Sequence, residues 1–383
     1  MLLYLFIFFL SVAIFSFSLS HKREKQVRMA IWYLAVLGLF VGLSDMFGGY
    51  DRYIYAEIFD GIADVTSSGG NPWKSSGFFF YGSELGWSSM NVLLSYVTAN
   101  RYIFIFVVTI IIYVLLILSL KKYAENFPFA IIIFLGLWVF FTFTYLRQVL
   151  GCTIAWLSIQ YIYERNFKRF LLVWLIAFSF HNSALVFFPM YFIPLRKFKI
   201  QTIVAIMLGA LILGLTPFPH NLFAIYGEVD ADRVGVAGYS EEGGFRIAYL
   251  IESLFFLYVI FTNYRIIPNK PKDIVLLNIA LVFCAVLLLF IRSENGGRLG
   301  WYYLIGIFCT LSTISIRKQM LTIQGVGLIF VALLLYLRIF FAWQTYMNLY
   351  PYKTFLTNGH REGDPVWEQY EYDENYDKDK FYR

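Results

Sequence analysis

Long apolar stretches alternate with short polar turns from one end of the chain to the other. Apolar segments lie near 2–20, 29–43, 101–120, 128–145, 147–163, 200–216, 246–262, 273–291, 299–316 and 320–341. Most run to about 17–25 residues, long enough for a helix to cross a hydrocarbon core roughly 30 Å thick. A soluble core has no use for so many. The pattern predicts an all-α integral membrane protein with about ten transmembrane helices.

Composition sharpens the picture. Of 383 residues, 59% are hydrophobic, 21% aromatic and only 15% charged, and the mean hydropathy is +0.64. The net charge of +6 could point to nucleic acid, but the lysines and arginines are spread over short turns, as expected of cytoplasmic loops. No nucleic-acid partner is therefore expected. The first run has no positive charge before it, no small-residue cleavage site after it, and ends in HKREK, which predicts a retained first helix with its N-terminus outside. Cys152, Cys284 and Cys309 fall inside apolar segments and read as small hydrophobic residues.

The stretch 170–194 departs from the pattern, because His181, Asn182 and Ser183 interrupt it midway. If it crossed once, every later basic cluster would lie outside, against the charge rule. If it enters and leaves on one side, those clusters become cytoplasmic, and 44–100, 217–245 and 292–298 become external. A re-entrant half-helix pair is the expectation, with arms reaching about 15–18 Å and the polar triplet at the tip. Asn182 or Ser183 would cap the second arm, whose N-terminal dipole would favour an anion. The alternative is one tilted helix with His181 bonded to a neighbouring carbonyl.

The domain organisation follows. Residues 1–341 form one polytopic transmembrane domain, and 342–383 form an acidic, Tyr-rich tail expected outside as a peripheral or partly disordered segment. The 44–100 loop is long enough to be functional. Within it Asp51 and Tyr55 share a helix face, with Glu57 and Asp60 nearby. Trp73, Phe78, Phe79, Phe80, Tyr81 and Trp87 are sugar platforms or interfacial anchors. The acidic 217–245 loop suits a lid or acceptor surface. Arg147, Arg298 and Arg338 sit at membrane depth, where an ionisable group marks a functional site unless it snorkels to lipid phosphate. Guanidinium forks suit a pyrophosphate or carboxylate.

Five motifs stand in order: G-x-D-x-x-x-Y (Gly49, Asp51, Tyr55), E-x-G (Glu84, Gly86), L-R-Q (Leu146, Arg147, Gln148), F-H-x-S-A (His181, Ser183, Ala184), and an arginine followed by Y-Y (Arg298, Tyr302, Tyr303). The set resembles the EpsG-like family of Wzy-type polysaccharide polymerases over residues 45–305. The resemblance implies a bacterial inner-membrane glycosyltransferase of the GT-C type. Such an enzyme joins undecaprenyl-pyrophosphate-linked oligosaccharide repeats, on the periplasmic or outer face, into O-antigen, capsule or exopolysaccharide. The Gly-rich 66–77 stretch and the acidic tail have no counterpart in the pattern.

The expected partners are a lipid-linked donor and acceptor, membrane lipid, and a chain-length regulator or flippase as a candidate. No metal or cofactor is expected, and no nucleotide loop or zinc ligand pair is present in the sequence. Arg147 and Arg298 would hold the departing pyrophosphate. Asp51 or His181 would be the base, with Glu84 next. Tyr55, Glu84, Gln148, Asn182, Ser183, Tyr302 and Arg338 would bind substrate. Rival readings are an O-antigen ligase-like or other membrane transferase, a lipid-linked oligosaccharide flippase or transporter, and a structural partner in an assembly complex.

Overall fold

The computed structural model of the chain describes residues 1–44, 50–219, 221, 244–293, 296–317, 320–344, 349–350 and 352–356. Its helices are α1 (Leu2–Ser18), α2 (Arg23–Leu43), α3 (Tyr50–Ser67), α4 (Ser76–Phe79), α5 (Leu85–Ser95), α6 (Arg101–Tyr123), α7 (Phe127–Leu137) and α8 (Phe141–Thr144). They continue as α9 (Leu146–Leu157), α10 (Ile159–Tyr163), α11 (Phe167–Phe180), α12 (Ile200–Gly214), α13 (Ile247–Thr262), α14 (Pro271–Leu289), α15 (Leu304–Ile314) and α16 (Ile323–Gln344). Tighter 3-10 helices cover Pro72–Lys74, Asn182–Phe192 and Gly296–Tyr303, and a two-residue hairpin pairs Ile316–Arg317 with Met320–Leu321. By length and composition, α2, α6, α14 and α16 can cross a membrane, and α1, α7, α12 and α13 are shorter apolar helices. This is an all-α, multi-pass membrane protein.

The apolar runs correspond to helices, but two that read as continuous are broken. Between α7 and α9 the chain bends through Trp138–Phe140 and again at Tyr145. Hydroxyl groups satisfy the backbone there: Thr142 donates to the Val139 carbonyl at 2.6 Å and pairs with the Tyr113 hydroxyl at 3.0 Å. At the α9–α10 break, Ser158 donates to the Ala155 carbonyl at 2.6 Å, and the Tyr123 hydroxyl accepts from the Gln160 amide at 3.1 Å. Interrupted helices persist at this depth only where neighbours supply such partners. Asparagine side chains start three of the helices, with Asn100 capping α6, Asn126 capping α7 and Asn166 capping α11.

The 167–192 segment doubles back on itself. Arg165 donates to the carbonyls of Tyr191 at 2.7 Å and Ile193 at 3.2 Å, so the start of α11 lies beside the end of the following arm. Farther along, the Trp174 ring packs 4.6 Å from Phe188, and its indole N–H reaches the Ala184 carbonyl at 2.8 Å. His181 has extended backbone and makes the turn. The arms are 14 and 11 residues long, about 20 Å each and longer than expected. The second is a 3-10 helix with Pro189 inside it, a residue that has no N–H for an α-helical bond.

Basic turns gather at one end. Lys122 bonds to Gln160 close to Glu164–Arg169, Lys197 donates to the Tyr264 carbonyl at 3.1 Å and also to Ile267, and Asn263 donates to Gln324 at 2.6 Å beside the 316–321 hairpin. The opposite end carries α3–α5, tied down by a buried ion pair between Asp60 and Arg101 and by Arg52, which donates to carbonyls at the end of α2.

The described residues of the tail's first part pack on the helices. The Tyr4 hydroxyl donates to the Leu349 carbonyl at 2.6 Å, the Tyr352 ring stacks on Phe40 at 4.1 Å, and the Phe355 amide donates to the Leu43 carbonyl at 3.2 Å. Phe355 also stacks on Tyr102 at 5.4 Å. Apolar side chains and unmet helix-end carbonyls draw this part of the tail onto α1, α2 and α6. Most of 217–245, Gly49 and the rest of 342–383 lie outside the described residues.

Candidate functional site

Glu84, at the start of α5, organises the tip of the hairpin. Its carboxylate is buried, with a side-chain exposure of 2%. Oε2 accepts from Arg147 Nη1 at 2.7 Å, and Oε1 accepts from the backbone N–H of Asn182 at 3.0 Å. The positive end of the second arm is thus met by the protein's own carboxylate, which corrects the expectation that this dipole stands open to an anion. The expected cap also changes. His181, and neither Asn182 nor Ser183, caps the arm, its Nδ1 accepting from the Ser183 amide. The Asn182 side chain is directed instead to Ser83 Oγ, at 3.1 Å.

Arg147 stands in the first turn of α9, positioned by the bend at Tyr145. Its guanidinium carbon lies 4.4 Å over the Tyr81 ring and 6.0 Å from that of Tyr55. Its Nε has no acceptor among the described residues. Arg298, in the 296–303 helix, lies over the Tyr145 ring at 4.2 Å and donates to that hydroxyl at 2.8 Å. Each arginine rests on an aromatic face, which holds a planar cation without neutralising it. Gln148 joins the two segments, its Nε2 donating to the Arg298 carbonyl at 3.1 Å and facing Ser183 Oγ at 3.4 Å.

Behind the tip, Ser183 Oγ lies 2.7 Å from His181 Nδ1 and 3.0 Å from the Tyr302 hydroxyl. Tyr302 is fully buried, and its carbonyl accepts from the Trp156 indole at 2.9 Å. Gly151 leaves room for this contact, because an added Cβ would meet His181 Cβ and the Tyr302 hydroxyl, both at 3.1 Å.

Asp51 enters from α3, outside the apolar spans. Its amide donates to Thr144 Oγ1 at 3.2 Å, and its Oδ2 accepts from the Tyr55 hydroxyl at 3.4 Å. Burial raises the pKa of its carboxyl group above the ordinary value. The charges of Arg298 and then Arg147 oppose that shift, as does the Tyr55 hydrogen bond.

The structure brings together Asp51, Tyr55, Glu84, Arg147, Gln148, His181, Asn182, Ser183, Arg298 and Tyr302. Tyr55, Glu84, Gln148, Asn182 and Tyr302 are buried and bond to other members of the cluster, so they frame the site more than they line it. Arg338 stands apart on α16, exposed, within electrostatic range of Glu252 on α13. Of the loop aromatics, Trp87 and Tyr81 are buried, while Trp73, Phe79 and Phe80 are exposed. Among Asp51's acidic neighbours, Glu57 is exposed and Asp60 is paired with Arg101. Tyr145 and Ser83 carry no signal in the sequence, and only the neighbouring L-R-Q could have drawn attention to Tyr145. No group of three or more potential metal ligands occurs among the described residues.

Fold and site together define a multi-pass membrane protein with two aromatic-backed arginines, a buried carboxylate clamp and a histidine gathered at the end away from its basic turns. The EpsG family model matches residues 29–354, most of the chain. The chain belongs to the EpsG family, a family of glycosyltransferase-like polysaccharide polymerases. No curated protein and no solved structure gives a significant match.

Proposed function

We propose that this protein polymerises undecaprenyl-pyrophosphate-linked oligosaccharide repeats into surface polysaccharide, by metal-independent transfer of the GT-C type at the external face of the bacterial inner membrane. One observation carries the reading. Asp51, Arg147 and Arg298, remote in sequence, converge so that one carboxylate lies in the field of both guanidinium groups. The positive-inside rule makes the basic end cytoplasmic, so this cluster faces outward and the 167–192 hairpin is re-entrant.

In the transfer, Asp51 takes the proton of the acceptor sugar hydroxyl. The hydroxyl oxygen bonds to the donor's anomeric carbon as the bond from that carbon to the diphosphate oxygen breaks. The electron pair leaves on the diphosphate, whose growing charge falls to Arg147 and Arg298. Attack opposite the leaving group inverts the anomeric centre. Burial gives Asp51 enough proton affinity to act as a base, while the two cations keep it ionisable.

The test is turnover of one purified lipid-linked repeat by the full-length protein in lipid nanodiscs. A ladder of lengthened products is expected, unaffected by EDTA. Asp51→Asn, Arg147→Ala and Arg298→Ala should each lower the rate on the order of 10²-fold or more. Single transfer to a foreign acceptor lipid would indicate a ligase, and movement without lengthening a transporter. Full activity in all three variants would remove the proposed site.

A further inference from the structure

We infer that Ser183 and Tyr302 act on the transfer through His181, fixing its imidazole with the proton on Nε2. His181 then serves as a neutral hydrogen-bond donor beside Arg147 and not as the base. The inference rests on the transferase reading above.

A backbone N–H can only donate. The amide of Ser183 meets His181 Nδ1 at 3.2 Å, so that nitrogen must present its lone pair. The Ser183 hydroxyl lies 2.7 Å from the same nitrogen. Its oxygen is faced by an obligate donor, Gln148 Nε2 at 3.4 Å, and by the Tyr302 hydroxyl at 3.0 Å. With both donating to Ser183 Oγ, the single serine proton is left to point at Nδ1. The order from Tyr302 to Ser183 to His181 then runs donor to acceptor throughout. Reversing it would turn an Nδ1 proton against the Ser183 amide.

The ring cannot swing away without cost, because it caps the second arm and would leave a helix-end amide unmet. Glu84 Oε1 does not compete for the nitrogen, since at 4.0 Å it is beyond hydrogen-bond reach. A neutral imidazole with Nδ1 accepting carries its proton on Nε2. Its only lone pair points into the protein, so it has nothing with which to take a proton from an acceptor sugar. Glu84 lies 4.0 Å from His181 Nδ1 and accepts from Arg147 at 2.7 Å, so His181 stands beside Arg147 and a donor there serves the diphosphate side of the reaction. Ser183 and the fully buried Tyr302 are positioning residues.

The test uses the full-length protein labelled with 15N-histidine; the sequence holds 4 histidines, and loss of one signal set in His181→Gln assigns the residue. Near neutral pH the His181 nitrogens should show the Nε2-protonated tautomer. In the polymer assay, Ser183→Ala should lower kcat about tenfold with little change in KM, and Ser183→Thr, which keeps the hydroxyl, should restore it. Tyr302→Phe should fall between them. Glutamine can donate through its own Nε2 but cannot serve as a base, so His181→Gln should stay well above His181→Ala. An Nδ1-protonated or doubly protonated ring, or a His181→Gln variant as inactive as His181→Ala, overturns the inference. The tautomer reads independently of turnover. Absent polymer alongside the Nε2 form would therefore count against the proposed activity while supporting the assignment.

Discussion

Replacing Glu84 by glutamine or by alanine removes different parts of what holds the cluster, and the difference can be measured. The carboxylate is 2% exposed and its partner Arg147 is 23% exposed. Breaking a fully buried pair costs about 3–5 kcal/mol and an exposed one about 0–1 kcal/mol. With the arginine partly in reach of water, the uncompensated charge should cost roughly 2 kcal/mol. Alanine also orphans the Asn182 amide, held at 3.0 Å, and an unmet buried donor adds about 1–3 kcal/mol. Glutamine keeps an oxygen for that amide. The expected losses are therefore about 3–5 kcal/mol for Glu84→Ala and about 2 kcal/mol for Glu84→Gln.

For a chain of this size, each kcal/mol shifts the melting midpoint on the order of 1 °C. Thermal unfolding of the detergent-purified protein at one fixed scan rate resolves the two variants. Adding Arg147→Met to Glu84→Ala should recover at least ~1 kcal/mol, because it removes the stranded cation. Equal midpoints for the two single variants, or strict additivity in the double variant, would refute the clamp.

Three further outcomes follow from the same geometry. Because the fold raises the Asp51 pKa, the stability this group contributes is present below its unfolded value and lost as pH rises through the folded one. Asp51→Asn should therefore melt higher than wild type at neutral pH, and the acid limb of kcat/KM should lie above the ordinary aspartate value of about 3.9; a lower limb or a destabilised variant contradicts this. Gly86→Ala places a Cβ 2.4 Å from Ser179 Oγ and 3.0 Å from the Ser179 carbonyl. It should cost about 1–3 kcal/mol in the unfolding assay by forcing α5 off the hairpin. Tyr145→Phe keeps the ring under Arg298 but removes the acceptor at 2.8 Å, so polymer formation should fall by about 1 kcal/mol, roughly fivefold, with unchanged expression.

How much was legible in the sequence varies with the range of the interaction. Helix positions follow from runs of apolar residues, since burial in lipid acts on each run separately. The breaks at 138–140 and at Ser158 are invisible there, because Tyr113 and Tyr123, both on α6, support them from another helix. Asp51, Glu84, Arg147, His181 and Arg298 stand out as polar residues in apolar or external context. Their pairing does not: Glu84 and Arg147 are 63 positions apart, and nothing local marks one as the other's counter-ion. The cap on the second arm is not legible either: asparagine and serine are the usual caps, whereas here the extended backbone of His181 turns its ring onto the Ser183 amide. Docking of 349–350 and 352–356 leaves no mark in the sequence, because the aromatics there show no helical period; Tyr352 and Phe355 each find a separate niche.

The bond from Tyr4 to Leu349 ties together two segments that stand 345 positions apart. A ribosome makes the first of these residues long before the second, so α1 cannot close this contact until the segment around Leu349 has been translated. Contacts of such separation are slow to form and leave the nascent protein vulnerable meanwhile. A product that stops short of Leu349 leaves α1 without this contact, and proteolytic surveillance recognises it there, far in sequence from the missing segment.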